Sequence, residues 1–567
     1  MTARFARRRL APLALLPLLA AAVVTMAPKQ ADAFCGFYVA PSDAPLYADA
    51  SMVALMRDGT RTALSMSNNY KGPAADFAMV VPVPVVVQKD NVKTLDKGVF
   101  QKHEKLSAPR LVEYWEQDPC GPMWGDGFGI GSGGGGLPGA MAKGAAADDA
   151  EYKVKIEAQF TVGEYDIVVL SAQESDGLER WLRDNKYNIP KGAAAALAPY
   201  IKEQQKFFVA RVDIKKVTMD DKGVAVLSPL RVTYESADFR LPVRLGLLNA
   251  NGKQDLIVYV LAKGKRYEVA NYPNTFIPTN LDVADKTREA FGPFYATLFD
   301  AAIGKAGGKA VVTEYAWGTN SCDPCPTPPL EDSDIATLGG DVLYGMTKGE
   351  AVTGDPTGGY FGGTQSDVVL TRLHTRYDAS TLGEDLVFKA GEPMVGGREF
   401  VTEAGGAGMP TLEKGARKDA QNNFQARYVI RHAWTGKIEC DAPHRGIWGG
   451  SPTGTGKPTP TPATGLAAAP RKSVTLASHV LSGLDDPASW DTAAGMAPQP
   501  APGNLGSPAL ATSAAPTGAP LMQNGPVTRK DCNCALVGGD PDDRTTNVTW
   551  ALAASALGLV ALRRKRK

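Results

Sequence analysis

Leu55-Met56-Arg57-Asp58-Gly59-Thr60-Arg61-Thr62-Ala63-Leu64-Ser65-Met66 places an Asp-Gly pair between two short apolar-rich runs. Glycine takes the positive φ that a tight turn between antiparallel strands requires, so the stretch predicts a β-hairpin. The surroundings extend that reading. Phe77 to Val87 is a third strand, and Pro82 and Pro84 place it at an edge or end it early, because proline gives no N–H to a ladder. Tyr152, Val154, Ile156, Ala158 and Phe160 alternate with mostly polar residues, the pattern of a half-buried strand, and Tyr165 to Leu170 forms the next one.

Helical signals are interspersed. Ser175-Asp176 is placed to cap a helix through Arg183 that presents Leu178, Trp181 and Leu182. Ala193 to Lys206 reads as a second helix and Phe207 to Val217 as a return to strand. Leu256 to Leu261 and Tyr267 to Ala270 suggest another hairpin. Asp282 to Ala306 reads as the longest helix, with a kink at Gly292-Pro293. The fold class is α+β, with a strand-rich, antiparallel body.

Two breaks divide the chain. Residues 121–150 are Gly/Ala-rich and read as a surface insertion in a domain spanning 34–330. The run Asp323-Pro324-Cys325-Pro326-Thr327-Pro328-Pro329 ends that domain. Residues 331–450 are Gly-rich and include strand signals at Val368 to Leu373 and Ala426 to Arg431. They form a smaller β-rich region, either a second unit or a continuation of the first. Residues 451–530 turn to Pro, Thr, Ala and Gly, as in Lys457-Pro458-Thr459-Pro460-Thr461-Pro462. Such a composition buries too little apolar area to offset its ordering entropy, and predicts a disordered stalk.

The two ends read as targeting segments. Arg4, Arg7, Arg8 and Arg9 precede an apolar run from Leu10 to Met26, and Ala31-Asp32-Ala33 closes it, the three parts of a signal peptide cleaved after Ala33. At the other end Cys532-Asn533-Cys534 precedes a spacer, an apolar helix from Val548 to Leu562, and Arg563-Arg564-Lys565-Arg566-Lys567. The basic terminus places the tail inside and the body outside the membrane. With these ends set aside the body is mildly acidic, which gives no electrostatic case for nucleic acid.

The tail resembles the myxobacterial C-terminal sorting signal handled by a myxosortase, over residues 531–567. That resemblance implies cleavage near Cys532 or Cys534, lipidation of a cysteine there, and display on the outer surface. A second resemblance rests on Phe34-Cys35-Gly36-Phe37-Tyr38-Val39, Val80-Val81-Pro82-Val83-Pro84, Val162-Gly163-Glu164-Tyr165-Asp166, Trp181-Leu182, Cys322-Asp323-Pro324-Cys325 and Asn423-Phe424-Gln425-Ala426-Arg427-Tyr428. In that order they resemble a secreted bacterial family, domain of unknown function 2330, over about residues 34–450. The family implies location and domain extent and brings no activity with it.

Candidate sites are few. The body cysteines Cys35, Cys120, Cys322, Cys325 and Cys440 are disulfide candidates in an exported chain, with Cys440 expected to bond Cys322 or Cys325. Two other readings of these residues stay open. Cys322-x-x-Cys325 has the spacing of a redox pair, although the prolines around it forbid the helix that would lower a thiol pKa. Cys322, Cys325, Cys440 and His444 also supply four zinc-ligand types, and His432 is a substitute.

Other motifs fail on inspection. Gly129-x-Gly131-x-x-Gly134 has no strand before it and no helix after it. Thr455-Gly456-Lys457-Pro458 lacks both the first Gly and the Ser/Thr of a phosphate loop. His103-Glu104 begins no zinc-protease motif, because Ser107 stands where the second His belongs. The histidines at 103, 374, 432, 444 and 479 nominate no triad. Trp115, Trp124, Trp317, Trp434 and Trp448 suit a core or a ligand groove. No cofactor is expected. The expectation is an exported, envelope-anchored surface protein, binding or structural in role, that meets signal peptidase, a sorting protease and the membrane. The alternatives are an extracellular hydrolase without a recognisable motif, or a metal or redox accessory protein using Cys322, Cys325 and Cys440.

Overall fold

The hairpin is formed. The computed structural model describes residues 51–495 apart from 68–69, 72–76, 122–152, 186, 188, 191, 220–224, 250–251, 347–366, 400–411, 454–457, 459 and 466–472. It also describes residues 70–71 and, before them, the strands Phe37–Val39 and Tyr47–Ala48. Ser51–Asp58 pairs antiparallel with Arg61–Ser67, Asp58 opposite Arg61, and Gly59 turns the chain at φ +56°. Successive side chains of a strand point to opposite faces, and here both faces are covered. Val53, Leu55, Leu64 and Met66 enter one core, while Ala54, Met56 and Ala63 enter another on the far side. Double burial makes Met52 to Met56 a continuous apolar run rather than an alternating one.

The hairpin lies within the largest sheet. Its central order runs Val311–Gly318, Val368–Tyr377, Gln254–Lys263, Ser51–Asp58, Arg61–Ser67, Leu230–Glu235. Gln254–Lys263 lies parallel to Ser51–Asp58, so the sheet is mixed rather than purely antiparallel. On one face packs a five-stranded antiparallel sheet that contains Phe77–Val83, Val154–Val162, Tyr165–Ala172 and Lys206–Val212. Phe77, Met79 and Val81 point into the core between the sheets. Ala78 and Val80 point outward to Leu178, Trp181, Leu182 and Leu197 of the helices Ser175–Asp184 and Ala193–Lys202. A third sheet centres on Arg110–Glu116 and Arg427–His432, which run parallel, and shares a core with the helix Phe291–Lys305. The architecture is strand-rich with several sheets and few helices, consistent with α+β.

Several expectations are corrected. Phe77–Val83 is buried along its whole length between two neighbours, not an edge strand, although it does end before Pro84. The Phe37–Val39 ladder reaches only Ala78 to Val80, so Pro82 faces a paired strand on one side alone. Arg266–Val269 makes no hairpin ladder with Gln254–Lys263; it pairs with Leu386–Gly391. The long helix begins at Phe291, after the strand Leu281–Val283 and a short turn at Asp285–Thr287. Pro293 therefore stands in the first helical turn, where N–H groups have no intrahelical acceptor and a proline removes no helical hydrogen bond.

The region 331–450 is no separate unit. Val368–Tyr377 is flanked by Gln254–Lys263 and Val311–Gly318, and Arg427–His432 pairs with Arg110–Glu116. The predicted stalk also begins too early. Pro460–Pro462 adds to Arg110–Glu116, and Val480–Ser482 adds to Leu281–Val283. The helix Pro487–Gly495 packs on Phe291–Lys305 through Ala493 and Trp490. Composition misled because a segment without a core of its own can bury a few apolar side chains on one already formed. The described residues all belong to one compact unit. The remainder of the stalk and the apolar tail helix lie outside the described residues. Among the described residues no helix is long and apolar enough to cross a membrane.

Candidate functional site

The strand Val311–Gly318 leaves the main sheet into a proline-rich loop. Leu330 N–H donates to Thr319 O at 2.9 Å and closes the loop at its base. Pro324, Pro326, Pro328 and Pro329 deny it a helix or a ladder, so side chains from elsewhere hold it. Arg110, fully buried at the start of Arg110–Glu116, donates to Pro324 O at 2.9 Å and also to Leu106 O. Gln425, also fully buried, donates to Asp323 O and to Gly397 O. Asp323 Oδ2 accepts the Glu399 N–H at 2.7 Å. The Asp323–Pro324 bond is cis.

Within this clamp Cys322 and Cys325 are joined by a disulfide, Cα to Cα 4.9 Å. Cys322 is half-buried against the core that contains Trp317 and Leu330, while Cys325 is exposed. The Glu399 carboxyl sits beside Asp323 and Tyr114. Burial, then the neighbouring Asp323 charge, pushes it up to about 6, with Arg427 acting in the opposite sense. Arg427 is fully buried and holds Asn280 Oδ1 at 2.9 Å and the Tyr114 hydroxyl at 2.9 Å. Burial lowers Arg110 to about 10. The arrangement is a half-exposed disulfide on a hydrogen-bonded loop, over buried arginines, with a carboxyl raised to about 6 beside Asp323.

The cysteines do not pair as expected. Cys440 bonds Cys120, across a sequence separation of 320, and Cys322 bonds Cys325, across 3. In the chain-entropy model the first constrains the unfolded chain by about 5–6 kcal/mol and the second by about 2. The four-ligand zinc set is not assembled: Cys440 lies with Cys120, and His444 sits in the same loop, its N–H on Pro119 O. Among the described residues no group of three or more His, Cys, Asp or Glu is placed to hold a metal. Cys35, Ala33, Cys532, Cys534, Trp124 and the glycines 129–134 lie outside the described residues, as do Thr455, Gly456 and Lys457.

The Cys120–Cys440 disulfide staples a loop that Glu116 organises. The Glu116 carboxylate accepts Arg445 Nε at 2.7 Å and Nη2 at 2.8 Å, and the Trp434 and Gly446 N–H groups. These bonds, Arg445 foremost, lower it to about 2. Trp115, Trp434 and Trp448 gather at this end of the strand. Trp115 stacks on His432 at 4.6 Å, and Arg431 lies over Trp448 at 5.4 Å. Trp317 is buried elsewhere and donates to Ser321 Oγ.

Sequence reading missed a buried charge network. Glu314 accepts from Arg372 Nε at 2.6 Å, from the Tyr295 hydroxyl, and pairs with His374 Nδ1 at 2.7 Å. His374 Nε2 meets Asp255 Oδ1 at 3.1 Å, and Phe299 stacks on its ring at 4.0 Å. Burial disfavours the charge on both groups, and each overcomes it through the other: Glu314 is lowered to about 2 and His374 is raised. Charged residues inside apolar strands, Glu314 in Val311–Gly318 and Arg372 with His374 in Val368–Tyr377, were the available signal. The network is closed to solvent and docks the helix Phe291–Lys305 on the main sheet. An open concavity of about 710 Å³ lies away from both sites, lined by Lys153, Lys155, Lys202 and Lys206. Lys153 and Lys155 there are exposed and already paired with Glu174 and Glu157.

A family model described as "Uncharacterized protein conserved in bacteria (DUF2330)" matches residues 29–389. The match ends at 389 rather than near 450. Among solved structures, baculovirus P35 is similar over 41% of this chain and 68% of that chain, at 11% identity and a TM-score of 0.21, a likeness too slight to carry any argument. No curated protein matches the chain.

Proposed function

The chain belongs to the bacterial family of domain of unknown function 2330, and from that premise we propose that it is an exported, envelope-anchored surface protein whose disulfide-fastened body acts by contact. One observation carries the reading. The Cys120–Cys440 bond ties segments 320 residues apart, and such cross-links form and persist in oxidising compartments outside the cytoplasm. The signal-like first residues and the myxosortase-type tail supply the route and the anchor. The long-range Cys120–Cys440 disulfide, sheets with both faces covered, and a loop pinned by Glu116 suit a module that meets partners.

The anchoring part is tested in cells. Replacing Cys532 and Cys534 together by Ser should leave export intact and remove display, read by surface labelling of intact cells. Normal display of the double variant would overturn it. The contact part is tested with the purified body against glycan, peptide and ester substrates. Turnover that survives repurification, and that disappears when one buried carboxylate becomes its amide, would replace this reading with a hydrolase.

A further inference from the structure

We propose that Cys322 and Cys325 are a reversible dithiol–disulfide couple that exchanges with dithiol proteins, Cys325 being the sulfur that is attacked. The inference goes beyond the contact reading and does not depend on where the chain is anchored.

Three features support it. The bond joins residues only three apart, so it ties no distant segments together, unlike Cys120–Cys440. The loop keeps its shape by other means: Arg110 on Pro324 O, Gln425 on Asp323 O, Glu399 N–H on Asp323 Oδ2, and Leu330 N–H on Thr319 O. Reduction therefore leaves the clamp in place. The two sulfurs also differ in access. Cys325 is exposed, whereas Cys322 is half-buried against the core. A partner thiolate reaches the first, and the second is retained as the leaving group.

The step balances as follows. A partner thiolate attacks Cys325 Sγ, the Cys322–Cys325 bond breaks, and its electron pair leaves on Cys322 as a thiolate. The second partner thiol, deprotonated, attacks the partner's own sulfur in the mixed disulfide and releases Cys325 as a thiolate. Two electrons and two protons pass to this chain, and the partner leaves as a disulfide. The reverse sequence reoxidises the pair with a partner disulfide. The Glu399 carboxyl, which sits beside Asp323 between the cysteines, takes up and returns a proton during the exchange. The charged and titratable groups facing Glu399 are Asp323 from the loop, Tyr114 from Arg110–Glu116 and Arg427 from Arg427–His432. With its carboxyl raised to about 6, Glu399 changes charge in the range where such exchange operates.

The test uses the whole mature protein, titrated with dithiothreitol at pH 7, with thiols trapped by alkylation and located by mass spectrometry. Cys322–Cys325 should open at a reductant concentration at least about tenfold below that needed for Cys120–Cys440, with circular dichroism unchanged. Opening of both bonds together, or only on unfolding, would overturn the proposal. The single variants assign the sulfurs. Cys322→Ser leaves Cys325 free and should form a mixed disulfide with oxidised glutathione about tenfold faster than Cys325→Ser does through Cys322. Equal rates would overturn the assignment of Cys325. Glu399→Gln should move the pH profile of the exchange rate without changing circular dichroism, and an unmoved profile would remove Glu399 from the mechanism.

Discussion

At the residue scale one set of buried charges is closed on itself. Glu314 serves Arg372, His374 and Tyr295 at once, and all four side chains are buried. Removing the charge from one member of such a set leaves the others without a partner, which typically costs 3–5 kcal/mol. Glu314→Gln should therefore lower the unfolding free energy by about 3 kcal/mol in a urea titration at neutral pH. A loss below about 1 kcal/mol would show that the network is not closed as described. Glu399 behaves in the opposite sense. Its carboxyl is raised from 4.5 to about 6, so the folded chain holds that proton more tightly than the unfolded chain does. The stability it contributes is present below about pH 4.5 and is lost as pH rises through about 6. The change across that window is about 1–2 kcal/mol. Glu399→Gln should flatten that part of the stability–pH curve, measured by denaturation at pH 4.5 and 7. An unchanged slope would assign the titration to another group.

At the element scale, the chain was legible where one strand or helix decides its own pattern. The hairpin around Gly59 was readable because a turn residue and its flanking apolar runs are local. So was the helix Ser175–Asp184, whose Leu178, Trp181 and Leu182 are spaced for one buried face. Partner choice was not legible. Arg266–Val269 follows Gln254–Lys263 closely in sequence yet pairs with Leu386–Gly391, since ladders depend on which edge the rest of the fold leaves free. Pro293 was misread because its effect depends on where the helix starts. The candidate site was half legible: the Cys-x-x-Cys spacing was visible, whereas Arg110, Glu399 and Gln425 reach the loop from three remote segments. The helix Pro487–Gly495 gives an element-scale test. A Cβ at Gly304 would stand 2.3 Å from Ala493 O, so Gly304→Val has no room while that helix is docked. The variant should release residues 473–495 to limited proteolysis and lose about 1–3 kcal/mol. Proteolysis at the wild-type rate would mean that the helix does not pack there.

At the scale of the whole molecule, the described chain is one body in which late segments complete early sheets. Val368–Tyr377, Arg427–His432, Pro460–Pro462 and Val480–Ser482 each add to strands laid down before them. Truncation at 450 removes two of those strands and a helix, and should expose the core around Phe294, Leu298 and Tyr428. Cys120–Cys440 closes the same body from its surface. The measurement that tests this account most directly is disulfide mapping by mass spectrometry of the protein isolated without reductant. The account predicts two bonds, Cys120 to Cys440 and Cys322 to Cys325, with the first fully formed. Free thiols at Cys120 and Cys440, or a bond from Cys440 to Cys322 or Cys325, would contradict it.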